Sequence, residues 1–227
     1  WSDLRRRMQP TDRRCFAFFH PAMPDEPLIF VEVALTKGVP GSIQKVLADG
    51  RDELDAQKAD TAVFYSISNC QAGLAGISFG NSLIKQVVDD LSRQLPGLKT
   101  FVTLSPIPGL AGWVDEQGLG ATVTQENLQA LAAHYLLNAK RSDGAPLDPV
   151  ARFHLGNGAM IHAVHANADT SESGQAQSYG AMVNYLYDLS ANAQNHEGFA
   201  DSFAVAASAD VKALARAAKK NETKGTI

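Results

Sequence analysis

A strand, a glycine-bearing loop, a long amphipathic helix and a second strand follow one another between residues 62 and 104. The first strand is a β-branched and aromatic run at 62–68. The helix is predicted from apolar residues at helical spacing between Leu83 and Leu95, and Pro96-Gly97 ends it. This order is typical of a crossover between parallel strands. The unit therefore predicts a sheet with a helix packed on one face.

The other segments extend this sheet. Further strands are predicted at 14–19, 28–35, 160–166 and 182–189. Residues that favour helix starts predict helices after Ser42, Thr124 and Ser208 and from Pro149, whereas the polar segment 167–177 is predicted to be a loop. The resulting order β-β-α-β-α-β-α-α-β-β-α predicts an α/β (α+β) fold, with a mixed central sheet flanked by helices.

Composition narrows the classes of partner. The 227 residues are 45% hydrophobic, enough for a substantial core, and the net charge of -4 gives no reason to expect nucleic acid or an anionic membrane. No apolar run approaches the ~20 residues that span a bilayer, and two cysteines do not make a disulfide framework. No metal-binding motif is present, because His162 and His165 are predicted on opposite faces of one strand. We therefore expect a cytoplasmic protein without a metal.

Ser105 stands at the end of the second strand of the crossover unit. Pro106 and Pro108 lack a backbone donor, so Ser105 is predicted to be the last residue of that strand. Ligands collect at the carboxyl ends of strands in such sheets, which makes the hydroxyl a candidate substrate contact. The alternative is that Ser105 only turns the chain.

His154 lies near the carboxyl end of the helix predicted from Pro149. The helix dipole there favours a protonated imidazole, which is what a general acid needs. The alternative is a structural histidine. Tyr185 and Tyr187 share one face of the following strand. Most such tyrosines are core residues, but one phenol can hydrogen-bond an acid in a pocket.

The loop before the long helix carries Gly73, Gly76 and Gly80. Glycines let the backbone approach a ligand closely, and the helix N-terminus offers unpaired amides to a phosphate. The spacing fits neither the P-loop nor the Rossmann pattern. It is similar to the loop that binds the coenzyme A pyrophosphate in the GNAT acyltransferase superfamily. The alternative is a plain tight turn.

Longer stretches resemble the catalytic part of malonyl-CoA decarboxylase. They are at 13–16, 27–35, 64–68, 71–76, 83–85, 104–109, 153–159 and 184–187, and the most specific are Ser-Pro-Ile-Pro-Gly at 105–109 and Phe-His-Leu-x-Asn-Gly at 153–158. The resemblance implies a GNAT-like catalytic domain over 13–227, with 1–12 an arm or the end of a preceding helical domain. Because the family carries such a helical domain and this chain does not begin with Met, we expect a piece of a longer polypeptide that forms a homo-oligomer through the missing domain. The connection after Gly109 is short for the family.

The same resemblance implies a reaction and a site. Malonyl-CoA would lose CO2 to give acetyl-CoA, with the CoA thioester as substrate and no cofactor. Ser105 would orient the malonyl carboxylate or act as an acceptor beside it. His154 would donate a proton to the enolate, and Tyr187 would position His154. The substrate contacts implied are Ser105, His154 and the loop residues Ala75, Gly76, Ile77, Ser78, Phe79, Gly80 and Asn81. Two other functions stay open: a CoA-dependent acyltransferase on the same fold, and a non-catalytic acyl-CoA-binding module.

Overall fold

The computed structural model describes residues 5, 7–74 and 80–222. The chain forms two compact units, residues 1–103 and 104–227. Within the described ranges, no helix is long and apolar enough to cross a membrane.

The first unit is a mixed sheet with a helical crossover. Its elements in chain order are β1 (Arg13–His20), β2 (Met23–Thr36), α1 (Ile43–Val46), β3 (Thr61–Asn69), α2 (Gly80–Gln94) and β4 (Thr100–Thr103), with single 3-10 turns at Ala56–Lys58 and Ala72–Leu74. The strands β1, β2 and β3 pair antiparallel in that order, and β4 pairs parallel to β3. Because α2 joins the parallel pair, the predicted crossover is confirmed.

The core of the first unit follows the sequence pattern. Val31 and Val33 are buried on β2, and Val63 is buried on β3. On α2, Val87 and Leu91 are buried four residues apart, which is the spacing that places two side chains on one helical face.

In the second unit β7 is paired on both sides. The elements are β5 (Ser105–Pro106), α3 (Leu110–Glu116), α4 (Leu128–Asn138), α5 (Pro149–Gly156), β6 (Met160–His165), α6 (Glu172–Ser178), β7 (Met182–Leu186), α7 (Asn192–Ser202) and α8 (Ala209–Glu222), with a 3-10 turn at Gly120–Thr122. Both β5 and β6 pair antiparallel with β7. Helix α4 packs against α8, and α5 packs against α7.

The prediction that Ser105 ends the crossover strand was wrong. Strand β4 ends at Thr103, and Ser105 begins the separate short strand β5, opposite Val183 of β7. The missing donor of Pro106 does not prevent this pairing, because a proline carbonyl still accepts hydrogen bonds. Ser105 is therefore held on β7 rather than at the end of β4.

Several helices differ from the prediction. The segment 167–177 contains the start of α6, which is capped by Ser171 accepting from the Gly174 amide at 3.1 Å. Its polar residues show no apolar period, so only the capping serine could have indicated it. Helices α3 and α7 were not predicted either. The helix predicted after Thr124 begins at Leu128, with Asn127 as its N-cap.

Candidate active site

Ser105 and His154 lie together in the second unit although 49 residues separate them in the sequence. The distance between Ser105 Oγ and His154 Nε2 is 3.2 Å. Ser105 is held by the pairing of β5 with β7, and His154 lies in the last turn of α5. Both side chains are nearly closed off from solvent, with 6% and 4% of their surface exposed.

Two tyrosines at the end of β7 hold the imidazole from its other sides. Tyr187 Oη lies 2.8 Å from His154 Nδ1. The ring of Tyr185 stacks on the imidazole, with centroids 4.5 Å apart and planes 23° from parallel. The structure therefore brings together Ser105, His154 and Tyr187, and it adds Tyr185, which the sequence analysis did not select. The two-residue spacing of the tyrosines was the available signal, because it places both on one strand face.

The expectation of a protonated His154 was wrong. Burial lowers the pKa of His154 to about 3, so the imidazole is neutral at neutral pH. The helix carboxyl end favours the cation, but the loss of hydration in this closed site outweighs that effect. A neutral imidazole has one donor and one acceptor nitrogen. Which nitrogen carries the proton then decides what the pair can do.

Asn157, just past the end of α5, lies behind Tyr187. Burial raises the pKa of Tyr187 well above its ordinary value, and the side chain of Asn157 acts in the opposite direction. The phenol is therefore protonated at neutral pH. Among the described residues, the buried Nδ2 of Asn157 meets no partner at full hydrogen-bond geometry. The amide is thus an available donor beside the Tyr187 hydroxyl.

Side chains of α7 cap the carbonyl end of α5. Asn192 Nδ2 donates to the Asn157 carbonyl at 2.9 Å, Asn195 Nδ2 donates to the Gly158 carbonyl at 3.3 Å, and His196 Nδ1 donates to the Gly156 carbonyl at 2.6 Å. Gly158 has a φ of +80°, and a Cβ there would collide with Asn192. The turn after His154 is therefore fitted closely to α7.

The structure describes only two of the seven loop residues that were predicted to contact substrate. Ala75, Gly76, Ile77, Ser78 and Phe79 lie outside the described residues. Gly80 and Asn81, predicted as loop residues, are instead the first two residues of α2, so the helix begins before the first apolar residue that indicated it. In the part of the chain that the structure describes, no group of three His, Cys, Asp or Glu side chains could hold a metal ion.

The architecture of the chain matches a known fold class. A GNAT-like decarboxylase, GphF, solved in complex with isobutyryl-CoA, superposes with a TM-score of 0.56 at 22% identity, over 83% of this chain and 84% of that chain. The fold is therefore GNAT-like: a mixed open sheet with flanking helices, in which a buried serine and histidine meet.

The chain belongs to the malonyl-CoA decarboxylase family. Residues 1–124 and 116–225 match the family described as "Malonyl-CoA decarboxylase C-terminal domain". The two matched segments meet within the stretch after Gly109 that the resemblance predicts to be shortened. Described residues there form α3, the 3-10 turn and the start of α4.

Relatives agree with this assignment. The goose (Anser anser anser) protein "Malonyl-CoA decarboxylase, mitochondrial" is 37% identical over an alignment 259 residues long, gaps included, which covers 93% of this chain and 51% of that protein. A malonyl-CoA decarboxylase crystal structure from Agrobacterium vitis is 50% identical with a TM-score of 0.87, over 94% of this chain and 60% of that chain. This chain thus spans about half the length of the curated relatives it matches.

Proposed function

We propose that this chain catalyses the decarboxylation of malonyl-CoA to acetyl-CoA and CO2. The observation that carries the proposal is the 3.2 Å contact between Ser105 Oγ and His154 Nε2, in a chain that belongs to this family. Loss of CO2 leaves a thioester enolate, and the site must hold the carboxylate and then supply a proton to carbon. A hydroxyl beside an imidazole can meet both needs.

Hydrogen bonding around His154 supports one tautomer. When the Asn157 amide donates to the Tyr187 oxygen, the Tyr187 hydroxyl proton is directed to Nδ1, which lies 2.8 Å away. The proton of the neutral imidazole is then on Nε2, facing Ser105. In this arrangement each group donates to the next, and donors in such a chain strengthen one another.

This tautomer gives Ser105 and His154 separate roles. Ser105 Oγ accepts from Nε2, so its own proton is directed to an acceptor other than the imidazole, and we assign that acceptor as the malonyl carboxylate. The C–C bond breaks, CO2 leaves with no electrons of that bond, and the pair remains on the enolate. The enolate carbon takes the Nε2 proton, because it is a stronger base than the imidazolate that this transfer leaves on His154. A proton from water restores His154 after product release, so one proton is consumed per turnover.

The test uses malonyl-CoA alone, with no second substrate. We expect acetyl-CoA and CO2 in equal amounts, and Ser105→Ala and His154→Asn to lower kcat by ~100-fold or more. Ser178→Ala is the matched control, because Ser178 is also a buried serine of the second unit but its hydroxyl donates only to backbone carbonyls. Malonyl-CoA that stays intact until an amine is added would point to an acyltransferase, and malonyl-CoA that binds but is never consumed would point to a binding module. Either result contradicts the proposal.

We assign the coenzyme A diphosphate to the backbone amides of residues 75–81, the predicted loop whose last two residues, Gly80 and Asn81, begin α2. A negative charge placed in this loop should repel the phosphates. Ser78→Asp is therefore expected to raise KM about tenfold or more while leaving kcat within about twofold. Ser78→Asn is the neutral control, and equal KM values for the two variants would contradict the assignment.

Two further expectations concern the cellular location and the oligomeric state. A cytoplasmic location and a homo-oligomer formed through a helical domain outside this chain stay predictions. The second is checked by the molecular mass in solution of the chain joined to that domain, compared with the chain alone.

A further inference from the structure

Asp148 is a buried carboxylate at the start of the helix that carries His154. Only 1% of its surface is exposed, and Oδ1 accepts from the Ala151 amide at 2.8 Å, which makes Asp148 the N-cap of α5. Burial raises the pKa of Asp148, while the backbone amides of Ala151, Gly109 and Val150 lower it. Oδ1 is therefore held by the start of α5, whereas Oδ2 faces the Gly109 backbone and the Tyr135 hydroxyl and, among the described residues, meets no partner at full hydrogen-bond geometry.

The Gly109 backbone lies in the segment that follows Ser105. Gly109 lies four residues after Ser105, and its amide is among those that interact with Asp148. A Cβ on Gly109 would collide with the Tyr135 hydroxyl and would lie 3.9 Å from Asp148 Oδ2. Tyr135 and Asp148 thus pack directly on the Gly109 backbone, with no room for a side chain between them.

A capping role alone does not account for a carboxylate at this position. Serine or asparagine caps a helix about as well as aspartate, and a buried carboxylate loses much more hydration than either. A second role, on the Gly109 side, explains why the charged group is kept. In this role Asp148 also joins the two segments that carry Ser105 and His154, since α5 holds His154 and the 105–109 segment begins with Ser105.

We propose that Asp148 is a positioning residue, which holds the Ser105–Gly109 segment against the start of α5 and so sets the distance between Ser105 Oγ and His154 Nε2. The kinetic part of this inference rests on the proposed function. The geometric part does not, because the distance can be measured whatever the reaction is.

The experiment compares Asp148→Ser with Ser171→Ala. Serine at 148 keeps a capping oxygen but is too short to reach Gly109, whereas Ser171→Ala removes the cap of α6, whose oxygen accepts from Gly174. For Asp148→Ser we expect kcat to fall about tenfold or more with KM within about twofold, and the Ser105–His154 distance in its crystal structure to exceed the hydrogen-bond range. For Ser171→Ala we expect a lower Tm with kcat and the distance unchanged.

If the serine variant does not fold, Asp148→Asn tests whether Asp148 sets the distance between Ser105 and His154. It keeps the length and one oxygen but turns an N–H group toward the Gly109 side, so kcat should fall about threefold or more and the distance should lengthen. Wild-type distance and kcat in either folded variant would overturn the inference. A wild-type chain that does not release acetyl-CoA would defeat the proposed function instead, and the crystal distances would still decide the role of Asp148.

Discussion

Acid should destabilise this protein through His154, beginning near neutral pH. The folded-state pKa of His154 is about 3, and the ordinary value is 6.5. Above the ordinary value neither state binds the proton, and this group leaves stability unchanged. Between the two values only the unfolded state binds it, so the free energy of unfolding falls by about 1.4 kcal/mol for each pH unit. Between about pH 7.5 and about pH 4.5 the loss comes to about 2.6 kcal/mol.

Urea unfolding of the wild type and His154→Gln across this range isolates the contribution. Carboxylates such as Asp148 also titrate as the pH falls, but they are common to both proteins and cancel in the difference. The wild type should therefore lose about 2.6 kcal/mol relative to His154→Gln between the two ends of the range. Parallel curves for the wild type and His154→Gln would refute the buried, neutral imidazole.

Three other substitutions test the surroundings of the site. Gly158→Ala should lower the free energy of unfolding by about 3 kcal/mol, because φ is positive and a Cβ would meet Asn192; Gly144→Ala, with a φ of +86° but more space, should cost about 1 kcal/mol, and equal losses in urea would contradict this account. Tyr185→Leu removes the ring stacked on His154 and should lower kcat about tenfold at nearly constant KM, so an unchanged kcat for acetyl-CoA release would count against the role of the stack. Asn157→Asp replaces a donor by an acceptor beside Tyr187 and should move the His154 proton to Nδ1; unaltered ¹⁵N shifts of the ring would exclude this arrangement.

The sequence was sufficient where the pattern is local and apolar. The crossover through α2 follows from hydrophobic periodicity and from the Pro96-Gly97 stop, and α5 follows from Pro149 and the glycines after it. Helices α6 and α7 were missed because they are short and polar, with no apolar stripe to reveal them. The short strand β5 was missed because a two-residue pairing depends on the position of β7, which lies far away in sequence.

In the candidate site, too, local sequence patterns were sufficient for some features, whereas others depend on contacts between distant residues. Motifs could indicate Ser105, His154 and Tyr187, but they could not give the protonation state of His154. That state depends on burial by distant residues, and local reasoning from the helix dipole gave the wrong sign. Tyr185, Asn157 and Asp148 depend likewise on contacts that only the folded chain makes.

Because of the contacts from α7 to the end of α5, the position of His154 beside Ser105 depends on α7, a helix that contains neither residue. Asn192, Asn195 and His196 satisfy carbonyls that would otherwise need water, so fraying of α7 releases the turn beside His154 at the same moment. Warming should therefore abolish turnover before the sheet melts, and amide protons in the last turn of α5 should begin to exchange together with those of α7.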